Sequence, residues 1–71
     1  MINSKLLQDA IEESGMKRNA LANKLGLSSY GLALKINNQN EFKASEIAAL
    51  SEILNLSRSK RDAIFFNPVV E

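Results

Sequence analysis

The stretch ALANKLGLSSYGLALKI, residues 20–36, contains two short apolar runs on either side of a glycine. Glycine adopts positive φ without a steric penalty and commonly ends a helix, so Gly26 predicts the end of one. Ser28 follows two residues later, and a serine hydroxyl accepts hydrogen bonds from the free N–H groups that open a helix. Apolar residues recur at helical spacing both before Gly26 and after Ser28. The stretch therefore predicts two helices joined by a tight turn.

Helical spacing and capping signals predict about five helices in the whole chain. The expected helices span about residues 5–14, 18–24, 29–37, 46–55 and 58–66. Ser4 and Gly15 are the expected caps of the first helix, and Ser45 is the expected N-cap of the fourth. Asn37 or Asn38 is expected to end the third, because asparagine tolerates the left-handed backbone better than most residues. The sequence therefore predicts an all-α fold, a compact bundle of short helices.

The chain is long enough for one small domain. With 71 residues, it buries about 60% of its unfolded surface on folding, which leaves a small core. No strand alternation, repeat, linker or low-complexity segment interrupts the sequence, so a single domain over residues 1–71 is expected. Pro68 predicts the end of regular structure and an irregular tail over residues 67–71. The predicted core residues are Leu21, Ala22, Leu25, Leu32, Ile36, Ile47, Leu50 and Leu54.

The composition argues against catalysis. The chain contains no cysteine and no histidine, which removes thiolate nucleophiles, nearly all zinc sites and the usual general base. We therefore expect neither an enzyme nor a bound cofactor. No apolar stretch approaches the roughly 20 residues that span a bilayer, and acidic residues lie where a signal peptide would be apolar. A cytoplasmic protein without a membrane partner is expected.

Positive charge concentrates in the middle of the sequence, although the formal net charge of the chain is only +1. Residues 16–43 carry a net charge of +4, whereas residues 1–15 carry −2 and residues 44–71 carry −1. The cations of the middle segment are Lys17, Arg18, Lys24, Lys35 and Lys43. Such a concentration around the two-helix stretch is what a phosphate-facing surface requires. Ordinary solvated lysines are the alternative interpretation.

The two-helix stretch has the spacing of a helix-turn-helix motif, in which one helix crosses the DNA backbone and the next enters the major groove. The motif needs a small residue inside its first helix, a glycine at the turn, and apolar residues on the buried side of its second helix. Ala22, Gly26, Leu32 and Ile36 occupy these positions. With the segment NNQNEFKASEIAALSEILNLS that follows, the chain resembles the lambda-repressor-like (Cro/C1-type) family over about residues 4–66, particularly the small regulators of phages of Gram-positive bacteria.

The sequence departs from the family pattern at three places. Lys17 and Arg18 stand where the family usually has Thr or Ser followed by Gln, so helix two lacks its usual N-cap, which is worth about 1 kcal/mol. Lys35 occupies a position that is often apolar, and Ile36 is expected to pack in its place. Gly31 inside helix three costs roughly 0.5 to 1 kcal/mol relative to alanine. A close approach of the backbone to another helix or to a ligand would explain this glycine.

The resemblance implies binding to double-stranded operator DNA, and regulation of a phage or prophage lysis-lysogeny switch in a bacterial host cell. On a helical wheel, Tyr30, Leu34 and Asn37 share the outward side of helix three, and Ser28 and Ser29 lie at its start. Hydroxyl and amide groups can hydrogen-bond to base edges, and apolar side chains can contact thymine methyl groups. The candidate contact residues are Lys17, Arg18, Asn19, Ser28, Ser29, Tyr30, Leu34, Lys35, Asn37, Asn38 and Lys43.

An exposed tyrosine beside an exposed leucine is also typical of a protein–protein interface. The alternative prediction is therefore that helix three binds a co-encoded phage repressor and that the protein modulates repression; small phage regulators resembling this chain include both kinds. A homodimer through the C-terminal region is a further expectation. One of Phe65 and Phe66 is expected to be buried, which leaves the other for a dimer contact together with Val69 and Val70.

Overall fold

Five α-helices and no strand are present in residues 1–66, the part of the chain that the computed structural model describes. The helices are α1 (Ser4–Ser14), α2 (Arg18–Lys24), α3 (Ser29–Ile36), α4 (Ala44–Ile53) and α5 (Arg58–Phe65). Each predicted helix is present with ends that differ by at most two residues, so the all-α prediction is confirmed. The predicted irregular tail, residues 67–71, lies outside the described residues. No helix in the described part is long and apolar enough to cross a membrane.

Ser28 caps α3 as predicted, and its Oγ accepts a hydrogen bond from the Gly31 N–H at 2.9 Å. A Cβ atom added at Gly31 would lie 3.2 Å from that Oγ, which is tighter than an ordinary van der Waals contact. The close approach at this glycine is therefore to the capping serine rather than to another helix. α2 begins without a side-chain cap, as the residues at its start predicted.

Two predicted N-caps are wrong by one or two residues. The side chain of Asn3 caps α1, while the hydroxyl of Ser4 donates instead to the last carbonyl of α3. α4 begins after Lys43 and not after Ser45. The reason is that Glu46 turns its carboxylate back to the start of the helix, where Oε1 accepts a hydrogen bond from the Lys43 N–H at 2.8 Å.

Four helices are followed by a residue in the left-handed conformation. These residues are Gly15 (φ 73°), Gly26 (φ 73°), Asn38 (φ 64°) and Asn55 (φ 55°). After α2, the Leu27 N–H donates to the carbonyl oxygen of Ala22, five residues earlier, at 2.9 Å. The N–H groups of Gln39 and Leu56 donate in the same way to the residues five positions earlier, after α3 and α4. The predicted stop at Gly26 is confirmed. Of the two asparagines predicted to end α3, Asn38 is the one in the left-handed conformation.

The core is formed where α1 packs against α3 and α5, with α2 packed on α3. The buried apolar residues are Leu7, Ala10, Ile11, Leu21, Ala22, Leu32, Ile36, Leu50, Ile64 and Phe65. Five of the eight predicted core residues are among them; Leu25, Ile47 and Leu54 are partly buried and pack at the edge. Leu25 and Leu54 directly follow α2 and α4, where the chain begins to turn away from the helix axis.

The aromatic residues close one end of this core. Phe42, in the α3–α4 connection, meets Phe65 edge-to-face, with ring centroids 5.6 Å apart and planes at 85°. Phe65 is 7% exposed, whereas Phe66 is 58% exposed, so the expected division between the two is confirmed. Phe65 is therefore not available to a second copy of the chain. Val69 and Val70, the other residues expected at a dimer contact, lie outside the described residues.

We expect Leu50→Ala to lower the free energy of unfolding by about 2 to 5 kcal/mol, because the side chain is fully buried and its truncation leaves a cavity. Glu52→Ala, on the exposed side of the same helix, is the matched control and should change stability by less than about 0.5 kcal/mol. Urea denaturation of both variants measures the difference. An unchanged midpoint for Leu50→Ala would contradict the contribution to stability that its burial implies.

Candidate functional site

α2 and α3 are consecutive helices that pack on each other and are joined by the turn at residues 25–28. They are named here the α2–α3 unit. Leu21 and Ala22 of α2 and Leu32 and Ile36 of α3 are each at most 1% exposed. These residues fix the inner side of both helices in the core. Because each helix buries one side only, the other side faces solvent.

The outward side of α3 carries uncharged side chains and is named here the α3 face. Its residues are Ser28, Ser29, Tyr30, Leu34 and Asn37. Tyr30 is 73% exposed, the two serines and Asn37 are exposed, and Leu34 is half-buried. The Ser28 oxygen already accepts one hydrogen bond within the cap, so its hydroxyl proton and one lone pair are left for a partner. The α3 face therefore offers hydroxyl, phenol, amide and apolar groups to whatever binds there.

Exposed cations lie at both ends of α2 and at the start of α4. Lys17 and Arg18 stand at the beginning of α2 beside the exposed Asn19, Lys24 is the last residue of α2, and Lys43 directly precedes α4. None of these four cations forms an ion pair with a carboxylate in residues 1–66. Their charge is available to an anionic partner such as a phosphate backbone.

Lys35, a predicted contact residue, is not available for binding, and the expectation is corrected. Its side chain is only 11% exposed, and its Nζ lies 2.6 Å from Oε1 of Glu46 in α4. The Nζ is also 6.0 Å from the centre of the Phe42 ring, within the range of a cation–π attraction. Because its charge is compensated inside the fold, Lys35 adds no free cation to the α3 face.

Glu46 is the partner of Lys35 that the sequence analysis did not single out. Its side chain is 10% exposed, and Oε1 accepts hydrogen bonds from Lys35 Nζ and from the Lys43 N–H. Burial alone would raise the pKa of Glu46, but these hydrogen bonds and the two positive charges outweigh burial and lower that pKa below its ordinary value. Only half of the sequence signal was present: Glu46 occupies the glutamate position of a capping box, but the N-cap is Lys43 and not one of the usual Ser, Thr, Asp or Asn residues.

Asn38 is the second predicted contact residue that the structure places in an internal role. The Ile2 N–H donates to Asn38 Oδ1 at 2.8 Å. Asn38 Nδ2 in turn donates to the Ile2 carbonyl oxygen at 3.1 Å and to Ser4 Oγ at 3.2 Å. The side-chain amide thus pairs with the backbone of Ile2 in both directions, as a neighbouring strand would. Asn38 holds the N-terminal segment against the end of α3; the residue is also exposed, and its contact with a partner stays a prediction.

We expect Glu46→Gln to lower the free energy of unfolding by about 1.5 to 3 kcal/mol near neutral pH, the usual contribution of a hydrogen bond to a charged group. The amide keeps the size of the side chain but leaves the Lys35 charge uncompensated. Because the folded pKa of Glu46 lies below its unfolded value of 4.5, the stabilisation is complete above about pH 4.5 and is lost as the pH falls through the folded value.

Urea denaturation of the wild type and Glu46→Gln from about pH 7 down to about pH 3 measures this effect. The difference between the two proteins should stay constant at the upper end of the range and shrink at the lower end. Glu52→Gln, at an exposed position of the same helix, is the control and should show no such difference. A gap that does not change with pH would contradict the role given to the Glu46 carboxylate.

We expect Asn38→Gly to destabilise the protein by about 1 to 3 kcal/mol, because glycine keeps the left-handed backbone but loses three side-chain hydrogen bonds. Asn55→Gly is the matched control: Asn55 has the same conformation after α4 and makes no side-chain hydrogen bond within residues 1–66, so the change should stay within about 0.5 kcal/mol. Thermal melting gives both values, and hydrogen exchange at the Ile2 amide should accelerate only in Asn38→Gly. Equal effects of the two substitutions would argue that the hydrogen bonds of the Asn38 side chain to Ile2 and Ser4 do not stabilise the fold.

Comparison with protein families classifies the chain. Residues 3–68 match the family described as "Protein of unknown function (DUF739)". The chain belongs to this family. The match includes all of the helices described above. Searches of curated proteins and of solved structures gave no match.

Proposed function

We propose that this DUF739 protein is a transcriptional regulator of a phage or prophage lysis-lysogeny switch, and that it binds operator DNA with the α3 face in the major groove. The observation that carries the proposal is the α2–α3 unit, whose inner side is fixed in the core while the outer side of α3 stays exposed. In a helix-turn-helix docked on DNA, the first residues of the second helix meet the base edges. Here these residues are Ser28, Ser29 and Tyr30, and the resemblance to Cro/C1-type regulators supports the same assignment.

The distribution of free charge also favours this function. The first helix of a docked motif crosses the DNA backbone, and α2 begins with the exposed cations Lys17 and Arg18. Asn19 beside them can donate to a phosphate, and Lys24 and Lys43 extend the positive region. Phosphate contacts of this kind supply affinity and orientation, whereas the α3 face supplies the sequence preference.

A second candidate function is modulation of repression through binding of a partner repressor. The observation that favours it is Tyr30, a large aromatic side chain that is 73% exposed on a face without a free charge. Buried aromatic anchors dominate the binding energy of protein–protein interfaces, and charged residues are depleted at their centres. In this case the α3 face would pack against the partner protein rather than against DNA.

One paired titration separates the two functions. Wild type and the double variant Tyr30→Ala/Leu34→Ala are titrated against DNA from the adjacent promoter region and against the co-encoded repressor, at one fixed salt concentration. If the α3 face reads DNA, the double variant should lose roughly 1 to 3 kcal/mol of operator affinity and keep any repressor binding. If the α3 face binds the repressor, the variant should lose about 2 kcal/mol or more of that affinity.

Two clear outcomes of this titration each rule out one of the functions. Tight, sequence-specific DNA binding by the wild type that weakens in the variant would rule out the repressor as the principal partner of this face. Tight repressor binding lost in the variant, with DNA binding that is micromolar or weaker at about physiological salt and indifferent to sequence, would overturn the DNA-binding proposal. Ser59→Ala, at an exposed uncharged position of α5, controls for general effects of a surface substitution on binding.

A further inference from the structure

We propose that the DNA bound by the α3 face is A·T-rich and is recognised through the C5-methyl groups of thymine, which Tyr30 and Leu34 contact. The inference rests on the proposed DNA-binding function and names the base chemistry that this face fits. It follows from the side chains that α3 exposes and from the one charged side chain of α3, Lys35, that is buried in an ion pair.

The withdrawn group is the Lys35 ammonium. α3 has the sequence SYGLALKI, so Lys35 is the only charged residue in the helix. The commonest specific contact in the major groove is a bidentate bond from arginine or lysine to guanine O6 and N7. Lys35 cannot supply it, because its Nζ is held 2.6 Å from Glu46 Oε1 and its side chain is 11% exposed. α3 also has no carboxylate to accept from the amino group of cytosine.

The groups that α3 does present fit thymine. Tyr30 and Leu34 are four residues apart, so they lie one above the other on the same side of the helix. An apolar side chain pressed against the edge of a G·C pair would desolvate its polar groups without replacing their hydrogen bonds. Against the thymine methyl, the same side chain buries apolar surface on both partners. Tyr30 and Leu34 therefore discriminate in favour of A·T pairs by burial rather than by charge.

The free cations do not alter this preference. Lys17, Arg18, Lys24 and Lys43 are exposed and lie outside α3, so we assign them to phosphates rather than to bases. Phosphate contacts raise the affinity for all sequences alike and carry no direct sequence information. The electrostatic and the base-reading parts of the surface are thus on different elements and can be tested separately.

The test compares thymine with deoxyuracil, which differs only by the C5-methyl group. The wild-type protein first selects its preferred duplex from a random library, and thymines of that duplex are then replaced singly by deoxyuracil. We expect the selected sites to be A·T-rich, and each contacted thymine to lose about fourfold in affinity on replacement, the equivalent of one buried CH₂ group. In Tyr30→Ala/Leu34→Ala the ratio between thymine and deoxyuracil duplexes should fall to about one, whereas Ser59→Ala, at an exposed position of α5, should keep the wild-type ratio.

The failures of the two proposals are distinguishable in this experiment. A selected duplex that is bound equally with deoxyuracil at every thymine, or a selected site made of G·C pairs, would overturn the methyl-recognition proposal and leave DNA binding intact. A library from which the wild type selects no sequence would overturn the DNA-binding function itself, and the methyl proposal with it. Circular dichroism of each variant tests whether the helices are unchanged. Because Leu34 is half-buried, the single variant Tyr30→Ala, at a position that is 73% exposed, is measured beside the double variant and should also lower the ratio.

Discussion

The buried ion pair between Lys35 and Glu46 joins α3 to the start of α4 and removes the one charged side chain of α3 from the surface. Nζ and Oε1 are 2.6 Å apart, and each side chain is about nine-tenths buried. The same carboxylate oxygen caps α4 through the Lys43 N–H, so one atom both marks the start of α4 and pairs with the only charged side chain of α3. Removing two charges from water is costly, and such a pair often adds little net stability compared with apolar residues. Its consequence here is electrostatic: Leu32 and Ile36 hold α3 in the core, and the pair leaves the outward side of the helix without a charge.

This constraint changes the electrostatic interpretation of the sequence. Residues 16–43 carry a net charge of +4, but one of their five cations is used inside the fold. The four that remain exposed belong to α2, its preceding residue and the N-cap of α4. The net charge of a segment therefore finds the positive region but wrongly includes α3 in it, because the only cation of α3 is paired inside the fold. The helix expected to read bases is the one that carries no free charge.

Local sequence signals were enough to predict the helices of this fold. The roles of Lys35 and Asn38 were not predicted, because they depend on contacts with residues distant in the sequence. The stops at Gly26 and Asn38 and the cap at Ser28 depend on neighbours within five residues, so the sequence contains them. Asn38 and Asn55 have the same conformation, yet only the former clamps the backbone of Ile2, 36 residues away. Nothing within a few residues of either asparagine separates the two cases. The exposed Tyr30 follows from the helical wheel, whereas the pairing of Lys35 requires knowing that α4 packs beside it.

The size of the molecule limits how DNA and a partner protein can share it. The chain exposes 4756 Å² in total. A stable protein–protein interface takes about 800 Å² from each partner, and a single DNA-binding module buries about 600 to 1,000 Å². Either partner would therefore cover roughly an eighth to a fifth of the surface. Both candidate functions need Tyr30 at the centre of that area. One molecule cannot present the α3 face to DNA and to a repressor at once, so if both bind they compete, and the concentration of the repressor sets how much protein is left for the operator.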